Sequence, residues 1–318
     1  MGNNAIYQRS IRSMTAHLDI SIVYEENRQA DADKLIDAGY AEAERLIGII
    51  SAWQAGTELY EVNANAGIKP VRVCKELFEL VRRSIHISRL TDGAFDVTFA
   101  SIDKVWYFDR PMLQLPTAQE IANSVRNIGY EHIHLDAAAQ TIYVDNKGTK
   151  IELGAIGKGF IANKMQAKLQ SLGVTGGVVN AGGDLTTWGK NEVGEDWKIG
   201  IADPDKKEKH IAWLRLCDQA VATSGSYERF AMINGVRHSH IIDPKTGHPV
   251  RGLQSVTVLS PDAELCDVVA TSVFLLGLKS GLTFVNQFHD VQCFIVDDDN
   301  NYHYSNNLKK IPYAEHAV

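Results

Sequence analysis

The apolar residues of this chain change their spacing along its length, and that change limits the fold more than any other feature. Leu35, Ile36, Ala43, Leu46, Ile47 and Ile50 recur at the 3.6-residue period of one helix face, and Leu77, Phe78, Val81 and Ile85 repeat it. Ile121, Val125 and Ile128 predict a third helix. Leu18, Ile20 and Ile22 alternate with polar neighbours, which predicts a half-buried strand over 17–24. Later in the chain strands dominate: 132–135 with 141–144 as a hairpin, then 177–179, 197–201, 211–216 and 255–259. Asn234-Gly235 between the runs 230–233 and 236–242 is a type I′ hairpin signal, because both residues tolerate positive φ.

Two helices interrupt these strands. One carries Phe160, Ile161, Met165, Leu169 and Leu172 and closes at Gly173; the other opens at Ser260-Pro261, with Ser as N-cap, and buries Leu265, Val268, Val269, Leu275 and Leu276. No repeat, low-complexity tract or linker divides the chain, and the elements mix too irregularly for a βαβ repeat. The expectation is an α+β fold in a single large mixed domain over 13–318, preceded by a tail at 1–12.

Composition excludes several classes. The 318 residues carry 32 Lys and Arg against 39 Asp and Glu, a net charge of −7, so there is no basic surplus to neutralise phosphates and no nucleic acid is expected as a partner. No uninterrupted apolar stretch reaches the 18 or so residues of a membrane span. Behind Arg9 and Arg12 there is no apolar signal-peptide core, and Cys74, Cys217, Cys266 and Cys293 are scattered like reduced thiols. A cytoplasmic protein is expected, although an exported form with its leader removed would present the same sequence.

Five segments offer chemistry. Gly154-Ala155-Ile156-Gly157-Lys158-Gly159 sits between a strand and a helix, where backbone N–H groups can bind phosphate. It matches neither the dinucleotide fingerprint nor the P-loop, whose Ser/Thr position holds Gly159, and a tight turn with close packing explains it equally well. Asn180-Ala181-Gly182-Gly183-Asp184 presents a carboxylate just past a strand, or is simply a turn. Asp267 and Thr271 share one helix face as hard oxygen ligands suited to Mg²⁺, although an Asp near a helix start is favoured by the macrodipole alone. His238 and His240 share one strand face ahead of an Asp243-Pro244-Lys245-Thr246-Gly247 turn, and either could act as acid or base near neutral pH. In Thr91-Asp92-Gly93-Ala94-Phe95-Asp96, Phe95 either fills the core or grips a flat ring to which Asp96 hydrogen-bonds.

In order and spacing, TDGAFDVTF, IELGAIGKGFIANK, VVNAGGDL, VATSGSYERF, HSHIIDPKTGHPV and SVTVLSPDAELCDVVATSVFLLG resemble the blocks of the ApbE-type FAD:protein FMN transferases, over about residues 12 to 300. The resemblance implies a T-fold-related architecture and a Mg²⁺-dependent enzyme. Such an enzyme attacks the pyrophosphate of its substrate FAD and moves FMN to a Ser or Thr hydroxyl of a target flavoprotein, with AMP leaving. Carried onto this chain, it implies that FAD meets Met14, Trp53, Ala94, Phe95, Asp96, Glu152, Lys158 and Ile241, with Glu152 standing where the family usually has Asp. It further implies metal ligation by the Ala155 carbonyl, Asp267 and Thr271, with His240 as the base. The alternatives are an FAD pyrophosphatase, in which water takes the FMN phosphoryl group, and a flavin carrier without turnover.

Overall fold

The computed structural model describes residues 3–13, 16–108, 110, 112, 114–203, 209–226, 230–233 and 236–308. In chain order the elements are β1 (Asn4–Ser13), β2 (Ala16–Glu25), α1 (Gln29–Ile50), α2 (Glu58–Ala64), β3 (Val71–Arg72), α3 (Lys75–Leu90), α4 (Ala118–Ser124), β4 (Ile133–Asp136), β5 (Thr141–Val144) and α5 (Gly157–Ser171). There follow β6 (Gly177–Ala181), β7 (Asp184–Trp188), β8 (Trp197–Ala202), β9 (His210–Leu216), β10 (Ala220–Gly225), β11 (Phe230–Ile233), β12 (Val236–Ser239), β13 (Leu253–Ser260), α6 (Ala263–Val285), β14 (Gln292–Asp297) and β15 (Tyr302–Tyr304).

Eight strands form the central sheet in the order β1-β2-β6-β7-β10-β13-β14-β15, every neighbouring pair antiparallel. The strand period of two gives the sheet two cores. Ala220, Ala222, Val256, Val258, Cys293 and Ile295 face the main core, which α1, α5 and α6 also supply. Their neighbours Val221, Leu259, Phe294 and Val296 face a smaller core closed by the β8–β9 ribbon through Ile201, Ala212, Leu214 and Leu216. A third cluster of Trp106, Ile121, Ala231, Ile233 and Ile242 lies beneath the β11–β12 hairpin. The fold is thus a mixed α/β single domain, as the change of apolar period predicts.

Several boundaries differ from the sequence reading. The expected tail is, over Asn4–Ser13, a strand paired residue for residue with β2; its alternation is weak because it lies at the sheet edge and buries little. The third helix stops at Ser124, so Val125 and Ile128 lie beyond it. Asn234-Gly235 lies outside the described residues, but the Ile233–Val236 pairing brackets it. The last helix is capped by Asp262, whose side chain accepts from Leu265 N, while Ser260 ends β13. That helix, α6, is long and apolar enough by composition to cross a membrane. Instead its first turns pack on β10, β13 and α5, and Gly277, with φ of 72°, interrupts its helical backbone.

Candidate active site

The glycine loop becomes a helix start earlier than its spacing predicts. Gly157 N–H bonds to the Leu153 carbonyl, and α5 begins there, so Lys158 and Gly159 belong to its first turn. At Gly159 a Cβ would lie 2.1 Å from the Ala263 carbonyl oxygen, so only glycine lets the starts of α5 and α6 approach this closely. Asn163 locks the approach by donating to Asp262 Oδ1 (2.6 Å) and accepting from Ala263 N (3.0 Å). Gly159 N–H would reach the Ala155 carbonyl if the helix began a turn earlier; it instead donates to Asp267 Oδ2 at 3.2 Å. Of the two readings of this loop, the close packing is what the structure shows.

Asp267 is 3% exposed, as is Asp184 at the start of β7. The β6–β7 loop that delivers Asp184 is Gly182-Gly183, with φ of 68° and 104°, both in the region that favours glycine. Lys158 Nζ pairs with Asp184 and lies 3.5 Å from Asp267 Oδ1. Burial pushes the Asp267 carboxyl up from its ordinary range, against the pull of Lys158 and the Gly159 N–H. Burial likewise raises Glu152, against a backbone hydrogen bond from Gly154.

Glu152, Lys158 and Asp267 line a cleft of about 340 Å³ together with Phe95, Asp96, Ala155, Ser224, His240, Ile241 and Thr271, while Asp184 pairs with Lys158 from outside that lining. A second cavity of about 690 Å³, floored by Ile47, Ile50 and Trp53, shares Glu152, Gly154, Lys158 and Gly182 with it. The two adjoin at these four residues, Lys158 among them. Trp53 is 67% exposed. Phe95 is buried in the wall; Ala94 is half-buried in the preceding turn and is not among the residues lining either cavity. Asp96 already holds the fold: Oδ1 accepts from Thr98 N and Oγ1 at 2.8 and 2.6 Å, and Oδ2 from Tyr130 N at 3.1 Å. Met14 lies outside the described residues.

The two histidines do not share a face. β12 ends at Ser239, whose Oγ accepts from Ile241 N at 3.1 Å, and the chain bends there. His240 consequently lines the cleft, whereas His238 lines a separate cavity beside Trp106, His248 and Arg251. His238 stacks on Trp106 with ring centroids 5.6 Å apart, and burial, then Arg251, lowers its pKa. Asp243 builds the next turn by accepting from Lys245 N (2.8 Å) and Thr246 Oγ1 (3.0 Å). That turn folds Val250 back onto the Ile241 carbonyl, holding the His240 segment as the cleft wall.

The sequence model of the ApbE family matches residues 14–295. This chain belongs to the ApbE family. It is 27% identical over 292 residues to the FAD:protein FMN transferase of Treponema pallidum, covering 87% of this chain and 81% of the relative. It is 31% identical over 259 residues to the protein of the same name from Vibrio cholerae, covering 80% and 76%. Its fold superposes on the ApbE protein of Thermotoga maritima with a TM-score of 0.86 at 28% identity, covering 96% of this chain and 99% of that one. With the flavin transferase ApbE of Vibrio cholerae the TM-score is 0.83 at 27% identity, covering 97% and 100%.

Sequence reasoning left two neighbours out of the site. Asp184 was visible as a carboxylate after a Gly-Gly turn, but its pairing with Lys158 needs the β6–β7 hairpin to lie beside α5. Ser224, in β10, reaches the cleft and hydrogen-bonds Thr271 at 3.1 Å, a contact across 47 residues with no local signal. Among the described residues no three His, Cys, Asp or Glu side chains gather as a metal cluster. A cation here would rest on one carboxylate plus hydroxyl and carbonyl oxygens.

Proposed function

We propose that this chain is an FAD:protein FMN transferase that cleaves the FAD pyrophosphate, moves FMN to a Ser or Thr hydroxyl of a target flavoprotein and releases AMP. The observation that carries this reading is the pair of adjoining cavities that share Lys158 in their lining. It suits a molecule with two flat ends and a charged middle. Phe95 and Ile241 would face the flavin, Trp53 offers a ring on which the adenine end can stack, and Lys158 would meet the pyrophosphate.

The donor set also fits Mg²⁺. Asp267, Thr271 and Ala155 line the cleft and offer a carboxylate, a hydroxyl and a backbone carbonyl as hard oxygen donors, and the described lining residues include three carboxylates, Asp96, Glu152 and Asp267, and one lysine. Bound there, Mg²⁺ would neutralise pyrophosphate charge and help the AMP phosphate leave. His240 takes the proton of the acceptor hydroxyl as that oxygen bonds to the FMN phosphorus.

Incubating the protein with FAD and Mg²⁺, with and without a flavoprotein acceptor, tests the reading. Released AMP together with an acceptor heavier by one FMN is the expected result. AMP without an adduct under all acceptors would move the assignment to a pyrophosphatase, and intact FAD throughout would leave only a carrier.

A further inference from the structure

Several hydroxyl side chains inside the helices of this protein turn back on their own backbone. Ser84 bonds the Leu80 carbonyl at 2.8 Å, Ser272 the Val268 carbonyl at 2.7 Å and Thr283 the Lys279 carbonyl at 3.0 Å. Thr271, adjacent to Ser272 in the same helix, departs from this habit. Its Oγ1 reaches across to β10 and pairs with Ser224 Oγ at 3.1 Å, and both residues line the cleft. The preceding residue, Thr223, is engaged separately with Thr257 at 2.9 Å, which pins the strand against β13.

The arrangement has a chemical reason that rests on the metal assignment above. A neutral threonine hydroxyl that gives a lone pair to a cation cannot aim its proton at that cation, so the proton needs an acceptor on the other side. Outer partners of this kind orient a metal ligand and tune its affinity. We infer that Ser224 is a positioning residue: its Oγ accepts the Thr271 proton, prevents the usual turn back to the helix carbonyl and directs the Thr271 lone pairs into the cleft. Ser224 itself touches neither metal nor substrate in this role.

Mn²⁺, an oxygen-seeking divalent ion visible by electron paramagnetic resonance, is the probe, titrated into the 318-residue protein without FAD. Ser224→Ala is expected to weaken Mn²⁺ binding roughly 10-fold or more, the usual effect of losing an outer partner. Ser224→Thr keeps the acceptor oxygen and should stay within about threefold of the parent, and circular dichroism checks that both variants fold. Parent-like Mn²⁺ affinity in Ser224→Ala, with weakened binding in Thr271→Val, overturns the inference and leaves the metal site standing. Equal losses in Ser224→Ala and Ser224→Thr also overturn it, because the hydroxyl would not be the cause. If Asp267→Ala and Thr271→Val both bind Mn²⁺ like the parent, the metal assignment itself fails and this inference falls with it.

Discussion

The two sides of the cleft are built differently. On one side Lys158, Asp267 and Thr271 stand on α5 and α6, regular elements whose close approach depends on Gly159. On the other, Phe95, Asp96, His240 and Ile241 stand on turns held by backbone N–H groups that donate to the side chains of Asp96, Ser239 and Asp243. The first side must keep buried charges fixed, which demands a rigid frame that water does not relax. Under the proposed function the second would admit the acceptor protein to bound FAD, and a turn-built wall can be adjusted without disturbing the core.

Breaking the rigid side should have the largest effects. Asp267→Ala is expected to lower Mg²⁺-dependent AMP release by ~10⁴-fold, a loss in line with the several kcal/mol a cation clamp supplies; parent activity at limiting Mg²⁺ would contradict the assignment. His240→Ala should cost about 10² to 10⁴ in transfer while FAD affinity, read by fluorescence quenching, stays near the parent. His238→Ala serves as its contrast and should leave transfer within a few-fold, since His238 faces the other cavity.

Gly159→Ala tests the frame by itself. A methyl group against the Ala263 carbonyl forces α5 and α6 apart, and overpacking of this kind costs about 3 kcal/mol, measurable in urea unfolding. Asp243→Ala removes the turn bonds to Lys245 and Thr246 and should cost about 1 kcal/mol, with a several-fold drop in kcat and little change in KM for FAD. The smallest effect is a pH slope. Because His238 has a folded pKa below its unfolded value, its contribution is intact above about pH 6.5 and is lost as pH falls toward the folded pKa. Thermal midpoints should therefore decline more steeply from pH 7 to pH 5 in the parent than in His238→Gln.

The same division explains what could be read from the sequence. The helices from Gln29, Lys75 and Gly157, the strand at Ala16–Glu25 and the β4–β5 hairpin follow from periodicity, because each has a buried face of its own. Asp267 and Thr271 were visible as a pair because helix spacing is local. The short α2, the edge strand β1 and the strands β7 and β10 were not, since their burial comes from neighbours distant in the chain. His238 and His240 were placed on one face because alternation continues only while a strand does, and β12 stops between them.

The two outermost strands of the central sheet lie beyond the limits of the family match. β1 ends at Ser13, one residue before the match begins, and β15 starts at Tyr302, after it closes at 295. A chain trimmed to the matched residues would keep every cleft-lining side chain named here, yet it would bare the ten-residue backbone of β2. An open strand of that length pairs readily with another copy. Trimming would therefore reveal itself first as loss of solubility, with the cleft still intact in whatever remained dispersed.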